Sequence, residues 1–175
     1  MAIHLILGGA RSGKSAYAEK LAQQSKLAVT YIATAQVYDD EFALRIAHHQ
    51  ARRPKDWQIV ESPFGLASSL ETHSNENTYV IVDCLTLWLA QSICPDCKAT
   101  DTVVWENERS ALLNLLPNLN GEVTLVSNEV GMGIVPLGEI NRRFQDEQGR
   151  LNQTIANIAD KVSFIASGLP LKLKG

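Results

Sequence analysis

Short runs of aliphatic and aromatic residues alternate along this chain with longer stretches in which apolar positions recur every three or four residues. Apolar runs bounded by turn residues read as strands buried on both faces, and the amphipathic stretches read as helices. Their alternation predicts an α/β fold, a mostly parallel sheet with helices on both faces. The predicted strands cover residues 3–7, 28–33, 57–60, 79–82, 123–126 and 162–166, with 171–173 as an edge pairing after Gly168 and Pro170. The predicted helices cover 15–24, 39–53, 64–70, 85–92, 103–116, 139–148 and 150–161. Asp39, Asp40 and Glu41 place acids at the start of the second helix, where its dipole favours them, and Pro54 ends it. Residues 71–77 form a polar loop and 93–101 an insertion-like one.

Between the first strand and the first helix lies Gly8-Gly9-Ala10-Arg11-Ser12-Gly13-Lys14-Ser15, a complete phosphate-loop pattern in the strand, loop, helix context that gives it meaning. Glycines let backbone N–H groups turn inward around an anion, and the helix that follows aims the positive end of its dipole at the same point. Lys14 would meet the outer phosphates of a nucleoside triphosphate, and the Ser15 hydroxyl would hold Mg²⁺. The bland alternative is a Gly-rich turn with a chance Lys-Ser; the flanking strand and helix weigh against it.

Composition narrows the class. A chain of 175 residues, 45% of them hydrophobic, can bury one sizeable core and hardly two, so residues 1–175 are expected to form a single catalytic domain. A net charge of −3 argues against a sequence-independent grip on nucleic acid. No stretch has the roughly 18 apolar residues of a membrane span, and the amino-terminal residues run straight into the phosphate loop, so a cytoplasmic location is expected. Three cysteines, Cys84, Cys94 and Cys97, suit a reducing compartment. Cys94 and Cys97 have the spacing of half a zinc site without a second half, or they mark a surface loop.

Two further elements carry candidate chemistry. Asp83 closes the most apolar strand, where a magnesium-orienting acid of a phosphate-loop enzyme stands, although strands also end in Asp for turn reasons. In the helix at 39–53, Glu41, Arg45, His48 and Arg52 fall within about 60° of one another at 100° per residue, while Phe42 and Ile46 face away. His49 leans toward the Phe42 side. A neutral imidazole between arginines suits attack on phosphorus, because the guanidinium groups attract polyphosphate and lower the ring's pKa. A solvated helix face is the competing reading. Glu61, at another strand end, is a candidate acceptor for guanine N–H groups or else a turn carboxylate, and Val130 to Pro136 is a glycine-containing apolar loop able to close over a large apolar ligand.

Taken together, GGARSGKS, YIATAQ with DDEFALRIAHHQARRP, Trp57 leading to Glu61, VDCLTLWLA, VSNEVGMGIVP, RRFQDEQGRLNQ and GLPLKLK resemble the bifunctional adenosylcobinamide kinase and adenosylcobinamide-phosphate guanylyltransferase family. The resemblance runs from Ile6 to Lys174. It implies a single-domain P-loop NTPase of RecA-like topology that phosphorylates adenosylcobinamide with ATP or GTP. It further implies transfer of GMP from GTP to that phosphate through a guanylylated histidine, with release of pyrophosphate. The family's histidine matches His48, its nucleotide loop matches Gly8 to Ser15, and further nucleotide contacts match Ala33, Thr34, Ala35, His49, Gln50, Ala51, Arg52, Glu61 and Asp83. Mg²⁺ would be held by Ser15 and Asp83 through the nucleotide, and the assembly implied is a homotrimer. This chain departs from the family at Gln91, where Asn is usual, and across 93–101. A plain small-molecule kinase and a nucleotide-binding switch module are the alternatives, and neither needs a reactive histidine.

Overall fold

The computed structural model describes residues 2–36, 54–93 and 102–175. Strands β1 (Ala2–Gly8), β2 (Ala28–Ala33), β3 (Gln58–Glu61), β4 (Thr78–Asp83), β5 (Glu122–Asn128), β6 (Lys161–Ala166) and β7 (Leu169–Lys174) form a seven-stranded sheet in the order β3-β2-β4-β5-β1-β6-β7. All pairs are parallel except β6 with β7. The helices are α1 (Lys14–Ser25), α2 (Leu66–His73), α3 (Leu85–Ile93), α4 (Thr102–Leu115) and α5 (Glu139–Ile158), with a 3₁₀ turn at Leu116–Asn118 after α4.

Because side chains alternate across a strand, the sheet buries two separate cores. Ile3, Leu5 and Leu7 of β1, Val80 and Val82 of β4, and Val123 and Leu125 of β5 pack with α2, α3, α4 and α5. Ile6, Ile81, Val126 and Tyr31 point the other way, onto Ala18 and Ala22 of α1. Trp88 of α3 and Trp105 of α4 meet edge to face at 5.3 Å in the first core. Both indole N–H groups are satisfied, Trp88 donating to Glu108 and Trp105 to Glu147, as buried tryptophans require. Glu147 also accepts from Arg109 and Arg150, and these donors hold its carboxyl below the ordinary range against the opposing effect of burial.

Three elements differ from the sequence expectation. The stretch expected as two helices meeting near Gly149 is one helix, α5, which ends at Ile158 and leaves Lys161 to β6. Gly149 weakens a helix by roughly 1 kcal/mol relative to alanine. Leu151 and Ile155, buried on either side of the next turn, hold the helix together across it. Helix α2 extends to His73, shortening the polar loop. The edge pairing expected at 171–173 is the full strand β7, which includes Pro170. An edge strand has no neighbour on its outer side, so a missing N–H is tolerated there. Among the described residues, no helix is long and apolar enough to cross a membrane.

Candidate active site

The phosphate-loop glycines are set by contact as well as by turn. A Cβ on Gly8 would stand 2.5 Å from the Ile165 carbonyl oxygen and 2.8 Å from Ser12 Oγ, and Gly13, at φ 102°, would place one 3.1 Å from Gly168 Cα. The close approach comes from the β6–β7 hairpin. Its two-residue turn has Ser167 at φ 52° and Gly168 at φ 78°, the primed geometry that suits tight hairpins. Gly168 N–H donates to the Ser12 carbonyl at 2.8 Å, bracing the loop from outside. Ser12 Oγ is buried with no hydrogen-bond partner among the described residues, so a donor stands inside the loop ready for a phosphate oxygen.

Lys14, only 7% exposed, donates from Nζ to the Gly9 carbonyl at 2.7 Å. Burial lowers its pKa, and the nearby Cys84 and Asp83 partly oppose that shift. A bound polyphosphate would oppose it further, which ties the lysine's charge to its ligand. The Cys84 thiol is buried and pushed up to about 12, first by burial and then by Asp83, so it stays protonated and unreactive.

The carboxyl edge of the sheet brings the predicted strand-end residues into line. Ala33 pairs with Glu61 on one side and with Asp83 on the other, so the three stand on adjacent strands about 4.8 Å apart. Asp83 pairs with Val126 of β5, and β5 in turn pairs with β1, aligning Asn128 with Gly8. One strand therefore separates the acid strand from the loop strand, as the RecA-like topology implied by the resemblance requires. Helix α1 packs across β5 onto β4, and Lys14 at its start lies within electrostatic reach of Asp83.

Thr34 holds this edge together. Its N–H donates to the Asp83 carbonyl, its hydroxyl donates to the Cys84 carbonyl at 2.7 Å and accepts from Cys84 N–H at 2.8 Å, and its carbonyl accepts from Gln91 Nε2 at 2.7 Å. Gln91 is thus a brace between α3 and the end of β2. Thr86 also has an internal partner, since its Oγ1 accepts from Asn128 N–H at 2.8 Å. Two residues at this edge escaped the sequence reading. Tyr31 donates its hydroxyl to Asp83 Oδ2, and Asn128 ends β5 beside Gly8. Period-two alternation counted back from Ala33 and forward from Val126 is the signal that could have found them.

His48, His49, Gln50, Ala51 and Arg52, with Glu41 and Arg45, lie outside the described residues, as do Cys94 and Cys97. Ala35 and the exposed Glu61 sit at the edge, Arg11 lies on the loop and Ser15 in the first turn of α1. Beyond β5 the loop at 130–138 presents Met132, Ile134, Val135 and Leu137 to solvent, with Ile134 96% exposed. These apolar side chains rim the same edge of the sheet as the phosphate loop.

A loop strand and an acid strand separated by one parallel neighbour, with a glycine-bound phosphate loop and a buried lysine, define a P-loop NTPase of RecA-like topology. The chain belongs to the cobinamide kinase / cobinamide phosphate guanyltransferase family, whose sequence profile matches residues 4–173. It is 52% identical over 172 residues to the bifunctional adenosylcobalamin biosynthesis protein CobP of Pseudomonas aeruginosa, covering 98% of this chain and 96% of the relative. It is 38% identical to the bifunctional adenosylcobalamin biosynthesis protein CobU of Escherichia coli, covering 97% of this chain and 98% of that one. The fold resembles the RadB recombinase at a TM-score of 0.53 and 16% identity, covering 93% of this chain and 73% of that structure. It also resembles an ATPase of a bacterial type III secretion system at 0.54 and 12%, covering 98% of this chain and 56% of that one. At such identities these two likenesses bear on the fold alone.

Proposed function

We propose that this chain performs both reactions of its family, in one catalytic domain spanning residues 1–175. It phosphorylates adenosylcobinamide with a nucleoside triphosphate and then transfers GMP from GTP to the resulting phosphate, giving adenosylcobinamide-GDP and pyrophosphate. The observation that carries this reading is the match over residues 4–173, which includes the phosphate loop, Asp83 and the stretch holding His48. The apolar rim at Met132, Ile134, Val135 and Leu137 supports a large corrinoid as the second substrate, because exposed apolar patches of this kind cover ligands or partners.

Phosphoryl and guanylyl transfer place different demands on the residues. For the first, Gly8 to Lys14 cradle the triphosphate and a hydroxyl attacks the γ-phosphorus in line. For the second, a ring nitrogen of His48 bonds to the α-phosphorus of GTP as the bond to the bridging oxygen breaks and pyrophosphate leaves. An oxygen of the corrinoid phosphate then displaces the histidine. Arg45 and Arg52, on the same helical stripe by spacing, would attract the triphosphate. Glu61, on the strand next to Ala33, would accept from the guanine N–H groups.

Magnesium fits the residues present: Ser15 and Asp83 offer hard oxygen ligands at the mouth of the loop. Among the described residues no group of three or more His, Cys, Asp or Glu could hold a metal, so the ion would take its other ligands from phosphate and water. When bound, it neutralises charge on the phosphates. We further propose a homotrimer working in the cytoplasm. Support for the assembly comes from the family resemblance and from Leu169, Leu171 and Leu173, which stand exposed along the open edge strand β7.

The test is incubation with GTP labelled at the α-phosphate, with and without adenosylcobinamide and ATP. Acid-labile, alkali-stable label on the protein, transferred to the corrinoid when its phosphate is supplied, is the expected result. Product formation with no labelled protein at any time would overturn the covalent route, and absence of both products would overturn the assignment.

A further inference from the structure

Asn128 is pinned by its backbone from three directions. Its N–H donates to Thr86 Oγ1 at 2.8 Å, its carbonyl accepts from Asn152 Nδ2 at 3.1 Å, and the next N–H, that of Glu129, donates to the Gly8 carbonyl at 3.0 Å. Behind it Ser127 Oγ donates to Asn152 Oδ1 at 2.7 Å, and Gln148 Nε2 donates to Ser127 Oγ at 2.9 Å and to Asn152 Oδ1 at 3.1 Å. Ser127, Gln148 and Asn152 are all buried between β5 and α5. Polar side chains at that depth are costly compared with leucine or valine, and what they achieve here is a fixed position for the tip of β5. The Asn128 carboxamide itself makes no hydrogen bond among the described residues.

Strand alternation sets the direction of that free carboxamide. Ser127 points to α5, whereas Val126 belongs to the core under α1. Asn128 therefore shares the α1 face with Val126, as Asp83 shares it with Ile81 two residues earlier in β4. Lys14 opens α1 on this face, and Gly8 is the register partner of Asn128. An uncharged donor carried on a firmly held stretch of backbone thus stands between the phosphate loop and the acid strand.

We infer that Asn128 is a nucleotide-contacting residue of the kinase reaction, its Nδ2–H donating to an oxygen of the γ-phosphoryl group during transfer. The inference rests on the reading of this edge as the phosphoryl-transfer site. In that step the acceptor hydroxyl oxygen bonds to the γ-phosphorus and the bond to the β,γ-bridging oxygen breaks. The electron pair leaves on the nucleoside diphosphate, and the hydroxyl proton goes to solvent. Charge shifts across the phosphoryl oxygens and the bridging oxygen as this happens, and a preorganised donor aimed there stabilises it without reorganisation. An amide suits the position better than a carboxylate, which would repel the phosphates.

The test compares the parent chain with Asn128→Ala, Asn128→Asp and Lys14→Ala, measuring kinase turnover, nucleotide affinity by calorimetry and the thermal midpoint. Asn128→Ala should lower kcat about 100-fold, the scale for removing one such donor, with nucleotide Kd and thermal midpoint close to parental. Asn128→Asp, isosteric but anionic, should be at least as impaired and should also bind nucleotide less well. A parental kcat in Asn128→Ala, a rate restored by Asn128→Asp, or a change confined to KM would each overturn the inference. Lys14→Ala separates the two levels of the argument. If it keeps parental nucleotide affinity, the site reading itself fails, whatever Asn128 does.

Discussion

The Tyr31 hydroxyl donates a hydrogen bond to Oδ2 of Asp83 from the neighbouring strand, and both side chains lie on the α1 face of the sheet. Tyr31 is itself fixed by stacking on Trp57, with ring centroids 6.4 Å apart and planes 25° from parallel. The carboxylate is thus oriented by a phenol that packing holds in place, leaving its other oxygen for a metal ion or a metal-bound water. Tyr31→Phe should therefore raise the magnesium concentration needed for half-maximal kinase activity and lower kcat about tenfold. That is the low end of what a hydrogen bond to a charged group is worth. A magnesium titration of parent and variant reads this directly, and superimposable curves would remove Tyr31 from the site.

Lys14 and Asp83 should separate binding from turnover. Lys14→Ala removes the charge that meets the outer phosphates and should abolish tight nucleotide binding. Asp83→Asn keeps the shape of the side chain and should reduce turnover far more than affinity, because a metal-orienting carboxylate matters most as charge shifts. Calorimetric titration with GTP alongside steady-state turnover distinguishes the two. Parental turnover in Asp83→Asn would reassign that residue to a turn.

His48 and His49 should divide the two activities. His48→Ala should lose guanylyl transfer and all protein labelling while kinase activity remains measurable, since direct in-line transfer needs no histidine nucleophile. His49→Ala should keep the label. Mass spectrometry of peptides from labelled protein gives the position, and label on His49 would falsify the role given to His48.

At the opposite end of β1, His4 Nε2 lies 2.8 Å from Ser163 Oγ, in a cavity of about 230 Å³ shared with Tyr79, Glu122 and Lys161. Burial, helped by the charge of Lys161, lowers the ring's pKa from 6.5 to about 4. Between those values the unfolded chain binds a proton that the folded chain does not, so stability falls as pH falls through that window and is unaffected above it. After discounting for the solvent that still reaches the ring, the loss by pH 5 is about 1 kcal/mol, or roughly 3 °C in thermal midpoint. His4→Gln should show a correspondingly flatter profile between pH 7 and pH 5. Equal slopes would assign the acid sensitivity to other groups.

What the sequence by itself determined is local. A glycine pattern between an apolar run and a helix declares a phosphate loop because the residues that carry the pattern, Gly8 to Ser15, are contiguous in the chain. Asp83, Glu61 and Ala33 were legible as strand ends for the same reason, and short continuous apolar runs made β1, β4 and β5 recognisable. Tertiary structure decided how those ends meet. That β5 lies between the loop strand and the acid strand follows from long-range pairing, Gly8 with Asn128 and Asp83 with Val126, which no local pattern encodes. The continuity of α5 across Gly149 depends on Leu151 and Ile155 finding the sheet, an energy larger than the glycine's local preference. The brace on the phosphate loop comes from Gly168, more than 150 residues along the chain from Ser12. In the sequence Asn128 is one of three successive polar residues, Ser127, Asn128 and Glu129, after an apolar run. Only the packing of Ser127, Gln148 and Asn152 behind it, and the direction that alternation then forces on it, distinguish it from a turn residue.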